Sequence, residues 1–215
     1  MTTLPTTWIF DLDNTLYPPS CGIYAAISQR VKQYLCDRLQ ITFEDAVALQ
    51  RRYHSQYGNT TSGLKIEHGV APEEFLGCIL DIDLAALSPT PALEKVLKLL
   101  PGRKFVFTNS LRLHAERVLE RLGIAHHFTD IFDIAASDYM PKPDPGAYQR
   151  FLDHCNVAPR TAIMFEDYPE HLKPASALGI TTVLVNHPGP FSAPYVNEET
   201  SNLTGYLLNR LLWAN

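Results

Sequence analysis

Five short segments of the chain are apolar and rich in residues that favour β-strands. The first is Trp8-Ile9-Phe10, and the other four lie at 104–110, 131–137, 161–167 and 181–187. A short apolar run bounded by turn residues is typical of a strand that is buried on both faces. The pattern therefore predicts a buried sheet built from these five segments.

Segments with apolar residues at helical spacing lie between these strands. Residues 111–122 end at Gly123 and residues 171–178 end at Gly179, and a further helical segment covers 147–155. Glycine suits the left-handed position that often follows the last turn of a helix. Strands that alternate with helices of about ten residues favour right-handed βαβ units and a parallel sheet. The predicted fold class is α/β with a Rossmann-like parallel sheet core.

The region 18–90 breaks this alternation, because its apolar residues repeat at helical spacing throughout. A first helix is indicated over 23–39, Thr42 suits the N-cap of a second that runs to residue 57, and Pro72 suits the first position of a third. The predicted domains are therefore a core of 1–17 plus 91–215 and a helical insert of 18–90.

The C-terminal part of the chain begins with a polar segment, 188–202, which is predicted to be a loop. Apolar and aromatic residues then predict a short helix docked on the sheet: Tyr206, Leu207, Leu208, Leu211 and Leu212. This helix either completes the core of a monomer or contributes to a homodimer surface, and the sequence leaves both open.

The composition is that of a folded globular protein, with 46% hydrophobic and 19% charged residues among 215. The 18 basic and 23 acidic residues give a formal net charge of −5. Because no stripe of lysine or arginine is present, a nucleic-acid polymer is not expected as a partner.

The four cysteines are widely spaced and form no Cys-x-x-Cys pair, so free thiols in the cytoplasm are expected and a zinc site is not. The N-terminal residues show no basic segment followed by an apolar one, so no signal peptide is expected. No apolar run approaches the ~20 residues that span a bilayer, so no membrane partner is expected.

Polar and charged residues stand at or shortly after the ends of four predicted strands. In an open parallel sheet, ligands bind in the crevice outside the carboxyl ends of the strands. These residues combine acids, hydroxyl and amide groups and one cation, which suits a phosphate ester held by a divalent metal. They are Asp11 and Asp13, then Thr108, Asn109 and Ser110, then Lys142, then Glu166 and Asp167.

Each of these signals also has an ordinary structural explanation. An EF-hand loop at Asp11 is excluded, because Leu16 and Gly22 stand where that loop needs glycine and glutamate. The polar residues at 108–110 and 166–167 could simply cap the helices that follow them, and Lys142 could be a surface lysine. All four signals fall at strand ends, which favours one common site.

The sequences of these segments resemble the four motifs of the haloacid dehalogenase superfamily of phosphohydrolases. The matching stretches are FDLDNTLY, FTNS, PKPDPGAY and FEDYPEHLKPASALG, and the resemblance covers nearly the whole chain. The helical insert falls where members of that family carry a C1 cap. More narrowly, DLDNTLYPP, GRKFVFTNS, HAERVLERLGI, YMPKPDP and ALGITTVLV resemble the pyrimidine 5′-nucleotidase branch, whose members dephosphorylate UMP- and CMP-type nucleotides.

The resemblance implies a catalytic role for each matching residue. Asp11 would be the nucleophile, and Asp13 would protonate the leaving alkoxide and then take a proton from water. The Thr108 hydroxyl and the Asn109 backbone N–H would hold phosphoryl oxygens, and Lys142 would neutralise charge on the transferring group. Asp13 favours phosphoryl transfer over dehalogenation, because a halide leaves without a proton and the family's dehalogenases lack an acid at that position.

The resemblance also implies a Mg²⁺ ion, held by the carboxylate of Asp11, the backbone carbonyl of Asp13 and Asp167. His171 departs from the pattern, since many members have Asp or Asn there, so metal affinity could be lower. Glu166 offers a further acid beside Asp167.

The implied function is Mg²⁺-dependent hydrolysis of a small phosphate monoester, with a pyrimidine 5′-nucleotide as the leading substrate. A phosphatase for sugar phosphates or phosphoglycolate is the alternative among enzymes. A binding or regulatory module that has kept the fold and lost turnover is the alternative from another class, and His171 is the feature that favours it.

Overall fold

The computed structural model describes residues 4–213 and divides the chain into two compact units. The sheet unit comprises Met1–Cys21 and Leu87–Asn215, and the helical unit comprises Gly22–Ala86. The helical unit interrupts the chain in the region where the sequence predicts an insert over 18–90. The outermost residues of the predicted core segments, 1–3 and 214–215, lie outside the described residues.

The sheet unit contains six parallel strands within the described residues, in the order β3-β2-β1-β4-β5-β6. This confirms the predicted α/β fold with a Rossmann-like parallel sheet. The strands are β1 (Thr7–Phe10), β2 (Arg103–Phe107), β3 (Asp130–Phe132), β4 (Ala162–Glu166), β5 (Thr181–Val185) and β6 (Glu198–Thr200). The helices of this unit, numbered after the four of the helical unit, are α5 (Pro91–Leu99), α6 (Arg112–Leu122), α7 (Pro145–Cys155), α8 (Pro169–Ala177) and α9 (Leu203–Trp213).

Strands β1 and β4 are neighbours at the centre of the sheet, and every residue of both is buried. The rings of Phe10 and Phe165 stack across them with centroids 4.8 Å apart. The strand order reverses between β1 and β4, because β2 lies on the other side of β1. In sheets of this topology the reversal opens a crevice at the carboxyl ends of the two strands.

Strand β3 is shorter than the predicted segment 131–137. Asp133 follows it and accepts hydrogen bonds from the backbone N–H groups of Arg112, at 2.9 Å, and Ala136, at 3.0 Å. These bonds draw the chain into a turn and satisfy a donor at the start of α6, so the strand ends at Phe132.

The predicted loop 188–202 contains β6, which the sequence analysis missed. This strand pairs with β5 and carries two glutamates, Glu198 and Glu199. Charged side chains are common on edge strands, where they discourage further pairing, and they remove the apolar signal by which strands are found. Helix α9 lies where the docked helix was predicted, and the ring of Tyr206 meets Phe165 edge-on.

The helical unit consists of α1 (Ile23–Leu39), α2 (Phe43–Tyr57), α3 (Thr60–His68) and α4 (Pro72–Gly77). Helix α3 was not separated in the sequence analysis, because the glycines at 58 and 63 weaken the helical pattern there. The unit has a small core of its own: Leu35, Ala46, Tyr53, Leu64, Val70 and Phe75.

No helix among residues 4–213 has both the length and the apolar character that crossing a membrane requires.

Candidate active site

Asp11 is the first residue after the central strand β1. Its backbone N–H donates to the carbonyl oxygen of Phe165 at 2.9 Å, so the pairing of β1 with β4 continues to this position. The residue is only 7% exposed. The strand therefore delivers the Asp11 carboxylate to the crevice where the strand order reverses.

Lys142 joins Asp11 to a second buried acid. Its Nζ atom lies 2.7 Å from Oδ1 of Asp11 and 2.6 Å from Oε2 of Glu166, and it also donates to the backbone carbonyl of Phe107 at 2.8 Å. The side chains of Lys142 and Glu166 are each 1% exposed. Lys142 is therefore a buried cation shared by two carboxylates, and the reading of it as a surface lysine is excluded.

Asn109 holds the backbone that carries this lysine. The Asn109 side-chain oxygen accepts from the backbone N–H of Lys142 at 2.7 Å, and its amide nitrogen donates to the Lys142 carbonyl at 3.1 Å. This pair of bonds connects the end of β2 to the segment after β3. The resemblance implies that the Asn109 backbone N–H binds phosphate. In the structure, the Asn109 side chain also holds the backbone of Lys142 in place.

The pKa values of the clustered carboxyl groups at this site shift in different directions. Burial raises the pKa of Asp11, the nearby Glu166 carboxylate raises it further, and Lys142 opposes the rise. Burial likewise raises the pKa of Asp167, and the charges of Asp11 and Glu166 add to it. Burial alone would raise the pKa of Glu166, but Lys142 and His171 hold it below the usual range. If all three carboxyl groups were ionised, their negative charge would exceed the single positive charge of Lys142.

Asp13 is held by three other side chains. Its Oδ1 accepts from the hydroxyl of Tyr17 at 2.5 Å and lies 3.2 Å from Nε2 of His114. Its Oδ2 accepts from the hydroxyl of Ser110 at 3.1 Å. Burial alone would raise the pKa of Asp13, but the contacts with His114, Tyr17 and Ser110 lower it. The Asp13 carboxylate is thus fixed in one orientation and favoured in its ionised form.

A family model described as haloacid dehalogenase-like hydrolase matches residues 6–179, which is more than half of the chain. The chain belongs to this family. The match begins just before β1 and ends just after α8, so it includes all the strand ends described above.

Two curated relatives of this HAD-like hydrolase have phosphate-related names. The glyceraldehyde 3-phosphate phosphatase of Methanocaldococcus jannaschii is 28% identical over 217 residues, covering 94% of this chain and 92% of that protein. The phosphate metabolism protein 8 of Saccharomyces cerevisiae is 25% identical over 194 residues, covering 82% of this chain. The second match spans 60% of that protein's length.

A solved structure with the same fold is an HAD phosphatase from Thermococcus onnurineus. The two chains superpose with a TM-score of 0.65 at 18% sequence identity, covering 98% of this chain and 99% of that one. At this identity the likeness shows the fold alone.

The acidic residues of the site suit a divalent cation that prefers oxygen ligands. Carboxylate oxygens of Asp11, Glu166 and Asp167 all lie within 4.8 Å of one another. The Asn14 amide nitrogen donates to Oδ2 of Asp167 at 3.1 Å, while its buried amide oxygen accepts no hydrogen bond from residues 4–213. A carboxylate cluster in which the pKa values of Asp11 and Asp167 are raised, with an unused acceptor beside it, fits Mg²⁺ and its bound waters.

His171 faces Glu166 rather than Asp167. Its Nδ1 atom lies 3.2 Å from Oε1 of Glu166, and its backbone carbonyl accepts from the hydroxyl of Tyr148. Both oxygens of Glu166 therefore have a basic neighbour, Lys142 on one side and His171 on the other. Among the three clustered acids, Asp11 and Asp167 are the ones left with carboxylate oxygens for a cation.

The structure brings most of the predicted site residues to one end of the sheet. Asp11 and Lys142 are in direct contact, and Asp167 lies within the same acidic cluster. Thr108 is 2% exposed and its hydroxyl accepts from the backbone N–H of Ser110 at 3.0 Å. The Asp13 carboxylate contacts its own three partners, and its charge is among the causes that raise the pKa of Asp11.

The sequence analysis missed two of the three side chains that hold Asp13, Tyr17 and His114. Ser110 was noted as part of a polar segment but was given no role. Ser110 lies just before α6, and His114 is the third residue of that helix, so the start of α6 brings both near the end of β2. Only the tertiary structure shows that both side chains reach Asp13.

Proposed function

We propose that this chain is a Mg²⁺-dependent phosphatase that hydrolyses a small phosphate monoester through an aspartyl-phosphate formed on Asp11. The observation that carries the proposal is the buried contact between Asp11 and Lys142, with a second acid at Asp13 held by three donors. A nucleophile next to a cation, followed by an acid that can exchange protons, is what phosphoryl transfer to a side chain requires.

In the first step, a carboxylate oxygen of Asp11 attacks phosphorus and the bond to the ester oxygen breaks. Asp13 gives its proton to the leaving alkoxide, which departs as an alcohol. The donors around Asp13 favour its ionised form, whereas an incoming phosphate dianion opposes that ionisation by like-charge repulsion. In the second step, water attacks phosphorus and gives its proton to the ionised Asp13, while the bond between phosphorus and Asp11 breaks, which releases inorganic phosphate and restores the Asp11 carboxylate.

Phosphate binding is assigned to Lys142, the Thr108 hydroxyl and the Asn109 backbone N–H. Mg²⁺ would be held by Asp11, Asp167 and the backbone carbonyl of Asp13. When bound, it would supply positive charge that offsets the crowded carboxylates and attracts the phosphate. Lys142 would support the same charge balance, because its ammonium group already touches Asp11.

The leading substrate is a pyrimidine 5′-nucleotide such as UMP or CMP. Support comes from the five segments between and around the motifs that resemble the pyrimidine 5′-nucleotidase branch. In this proposal the helical unit acts as a C1 cap and sets substrate choice. The enzyme would work in the cytoplasm on a free nucleotide, as a monomer or homodimer.

A second candidate substrate is a sugar or triose phosphate. The relative named glyceraldehyde 3-phosphate phosphatase matches nearly the full length of both chains, which favours this substrate class. The chemistry at Asp11 and Asp13 would be the same, so only substrate choice separates the two candidates.

The test is phosphate release from a panel of monoesters, measured with Mg²⁺ and after its removal by a chelator. The panel contains UMP, CMP, AMP, glyceraldehyde 3-phosphate, phosphoglycolate and hexose phosphates. The variant is Asp11→Asn, and the matched control is Asp153→Asn on the exposed face of α7. Rapid acid quenching of the wild type would trap the aspartyl-phosphate.

Metal-dependent release that is lost in Asp11→Asn and kept in Asp153→Asn is the expected result, with the highest kcat/KM for UMP or CMP. A highest kcat/KM for glyceraldehyde 3-phosphate would instead support the second candidate substrate class. If the wild type releases phosphate from no ester, the chain is a binding module that has kept the fold.

A further inference from the structure

A second group of potential metal ligands lies in the sheet unit, away from the acidic residues at the strand ends. It consists of Glu94 in the first turn of α5 and the adjacent His126 and His127 in the short turn between α6 and β3. One ligating atom from each of the three lies within 4.8 Å of the other two.

Both imidazoles point their Nε2 atoms at the same carboxylate oxygen. Nε2 of His127 lies 3.1 Å from Oε1 of Glu94, and Nε2 of His126 lies 3.7 Å from that oxygen. Metal–ligand distances of ~2.0–2.2 Å give a tetrahedron with edges of about 3.3–3.6 Å. The two distances bracket that range, so each imidazole nitrogen is spaced from the carboxylate oxygen about as two ligands of a tetrahedral site are.

The backbone already holds these ligands in place. The N–H of Thr90, just before α5, donates to the Leu122 carbonyl at the end of α6 at 3.0 Å. The N–H of His127 donates to the Ile124 carbonyl at 3.1 Å, which closes the turn that carries both histidines. The helix with the carboxylate and the turn with the imidazoles are therefore tied together without any metal.

We propose that Glu94, His126 and His127 form a binding site for a Zn²⁺-class transition-metal ion. Two imidazoles and one carboxylate suit Zn²⁺ and its neighbours in the transition series, whereas Mg²⁺ and Ca²⁺ prefer oxygen ligands alone. Three protein ligands leave a fourth position for water. The His127 side chain is 10% exposed and that of His126 is 64% exposed, so the ion enters from the surface.

The ion would connect α5 to the turn before β3 and stabilise the folded sheet unit by binding it preferentially. No zinc site was expected from the sequence, because the widely spaced cysteines have no histidine partners at ligand spacing. Glu94 precedes His127 by 33 residues, so no local spacing marks the group.

The test counts bound Zn²⁺ by equilibrium dialysis in excess Mg²⁺, which is added to compete with Zn²⁺ for the carboxylate cluster. The variants are His126→Ala, His127→Gln and Glu94→Gln. The matched control is His154→Ala, because Nε2 of His154 also faces a single carboxylate, Asp130, at 3.6 Å and its side chain is 56% exposed. Melting curves with and without Zn²⁺ accompany each measurement.

We expect one Zn²⁺ per chain in the wild type and in His154→Ala, with a higher melting temperature when Zn²⁺ is present. Each of the other three variants should bind that ion at least ~100-fold more weakly and lose the temperature increase. Zn²⁺ held at the strand ends would remain in every variant, so the difference between wild type and variant reports this site alone.

Equal Zn²⁺ binding in all variants, or none in the wild type, would overturn the proposal. Loss in His127→Gln without loss in His126→Ala would also overturn it, since the proposed site needs both imidazoles. If His127→Gln does not fold, the outcome rests on His126→Ala and Glu94→Gln, whose side chains are more exposed. None of these results depends on phosphatase activity.

Discussion

The sheet unit contains a buried ion pair, whereas the corresponding ion pair of the helical unit is partly exposed. In the sheet unit, Lys142 and Glu166 form an ion pair whose side chains are each 1% exposed. In the helical unit, the side chains of the ion pair between Arg52 and Glu67 are 47% and 24% exposed. The attraction within a buried ion pair must offset the large free-energy cost of removing both charges from water. A surface ion pair loses little hydration and contributes little to stability.

The difference shows where function determines the structure. In the sheet unit the carboxylates of Asp11 and Glu166 share one ammonium group, although well-packed hydrophobic residues of similar volume are often at least as stable as a buried ion pair. The unit keeps these charges at a strand-order reversal, the place where open parallel sheets generally bind ligands. The helical unit has no comparable buried group among the residues described, and its charges lie over a small apolar core.

Replacing the buried lysine should have the largest effect. Lys142→Met leaves the carboxylates of Asp11 and Glu166 without their cation, so we expect a loss of about 3–5 kcal/mol in the free energy of unfolding, together with loss of phosphate release. The control is Lys104→Met, because Lys104 is also buried but its Nζ donates to the backbone carbonyl of Leu100 at 2.7 Å. Urea unfolding at neutral pH measures the stability of both variants. Similar losses in the two variants would show that the carboxylates do not need Lys142.

Loss of a donor to Asp13 should reduce turnover more than stability. His114→Leu removes a contact to Oδ1 of Asp13, and we expect kcat for alkyl phosphates to fall about 10–100-fold with KM little changed. With p-nitrophenyl phosphate the fall should be smaller, because that leaving group needs little protonation. The control is His154→Leu on α7. An equal fall for both kinds of ester would mean that His114 acts only through general stability.

In the helical unit, the most sensitive position should be a packing contact. A Cβ at Gly63 would overlap the ring of Tyr53, which is fully buried, so Gly63→Ala should destabilise the protein by about 1–3 kcal/mol despite the better helix propensity of alanine. Gly77→Ala is the control, since a Cβ there meets no atom within 4 Å. It should be neutral or stabilising by up to ~1 kcal/mol. Thermal and urea unfolding should therefore show a loss of stability in Gly63→Ala and none in Gly77→Ala.

The smallest effect should come from the surface charges of the helical unit. Hydrogen bonds from Arg52 and Tyr57 hold the pKa of Glu67 at about 2, against 4.5 for an ordinary glutamate. Because the folded-state pKa is the lower one, the stabilisation is present above pH 4.5 and is lost as the pH falls toward about 2. Glu67→Gln should flatten the fall in melting temperature over that interval, and the exposed Glu44→Gln should not. A steep fall in Glu67→Gln equal to that of the wild type would contradict this.

The sequence by itself determined the order of strands and helices and the presence of acids at the strand ends. Apolar runs such as Trp8-Ile9-Phe10 and helix stops such as Gly123 act through neighbouring residues, so they can be read locally. The same local reading failed at β6, whose glutamates hide the strand, and at the end of β3, where Asp133 bonds to a residue 21 positions earlier.

Only the tertiary structure decided which of these groups meet. Lys142 and Asp11 are 131 residues apart in the chain, and His114 and Asp13 are 101 apart. Glu94 and the two histidines come together because the start of α5 is hydrogen-bonded to the end of α6, just before the turn that carries the histidines. A side chain's neighbours across such separations depend on the packing of the whole sheet unit, and that packing follows from burial of the apolar segments rather than from any local pattern.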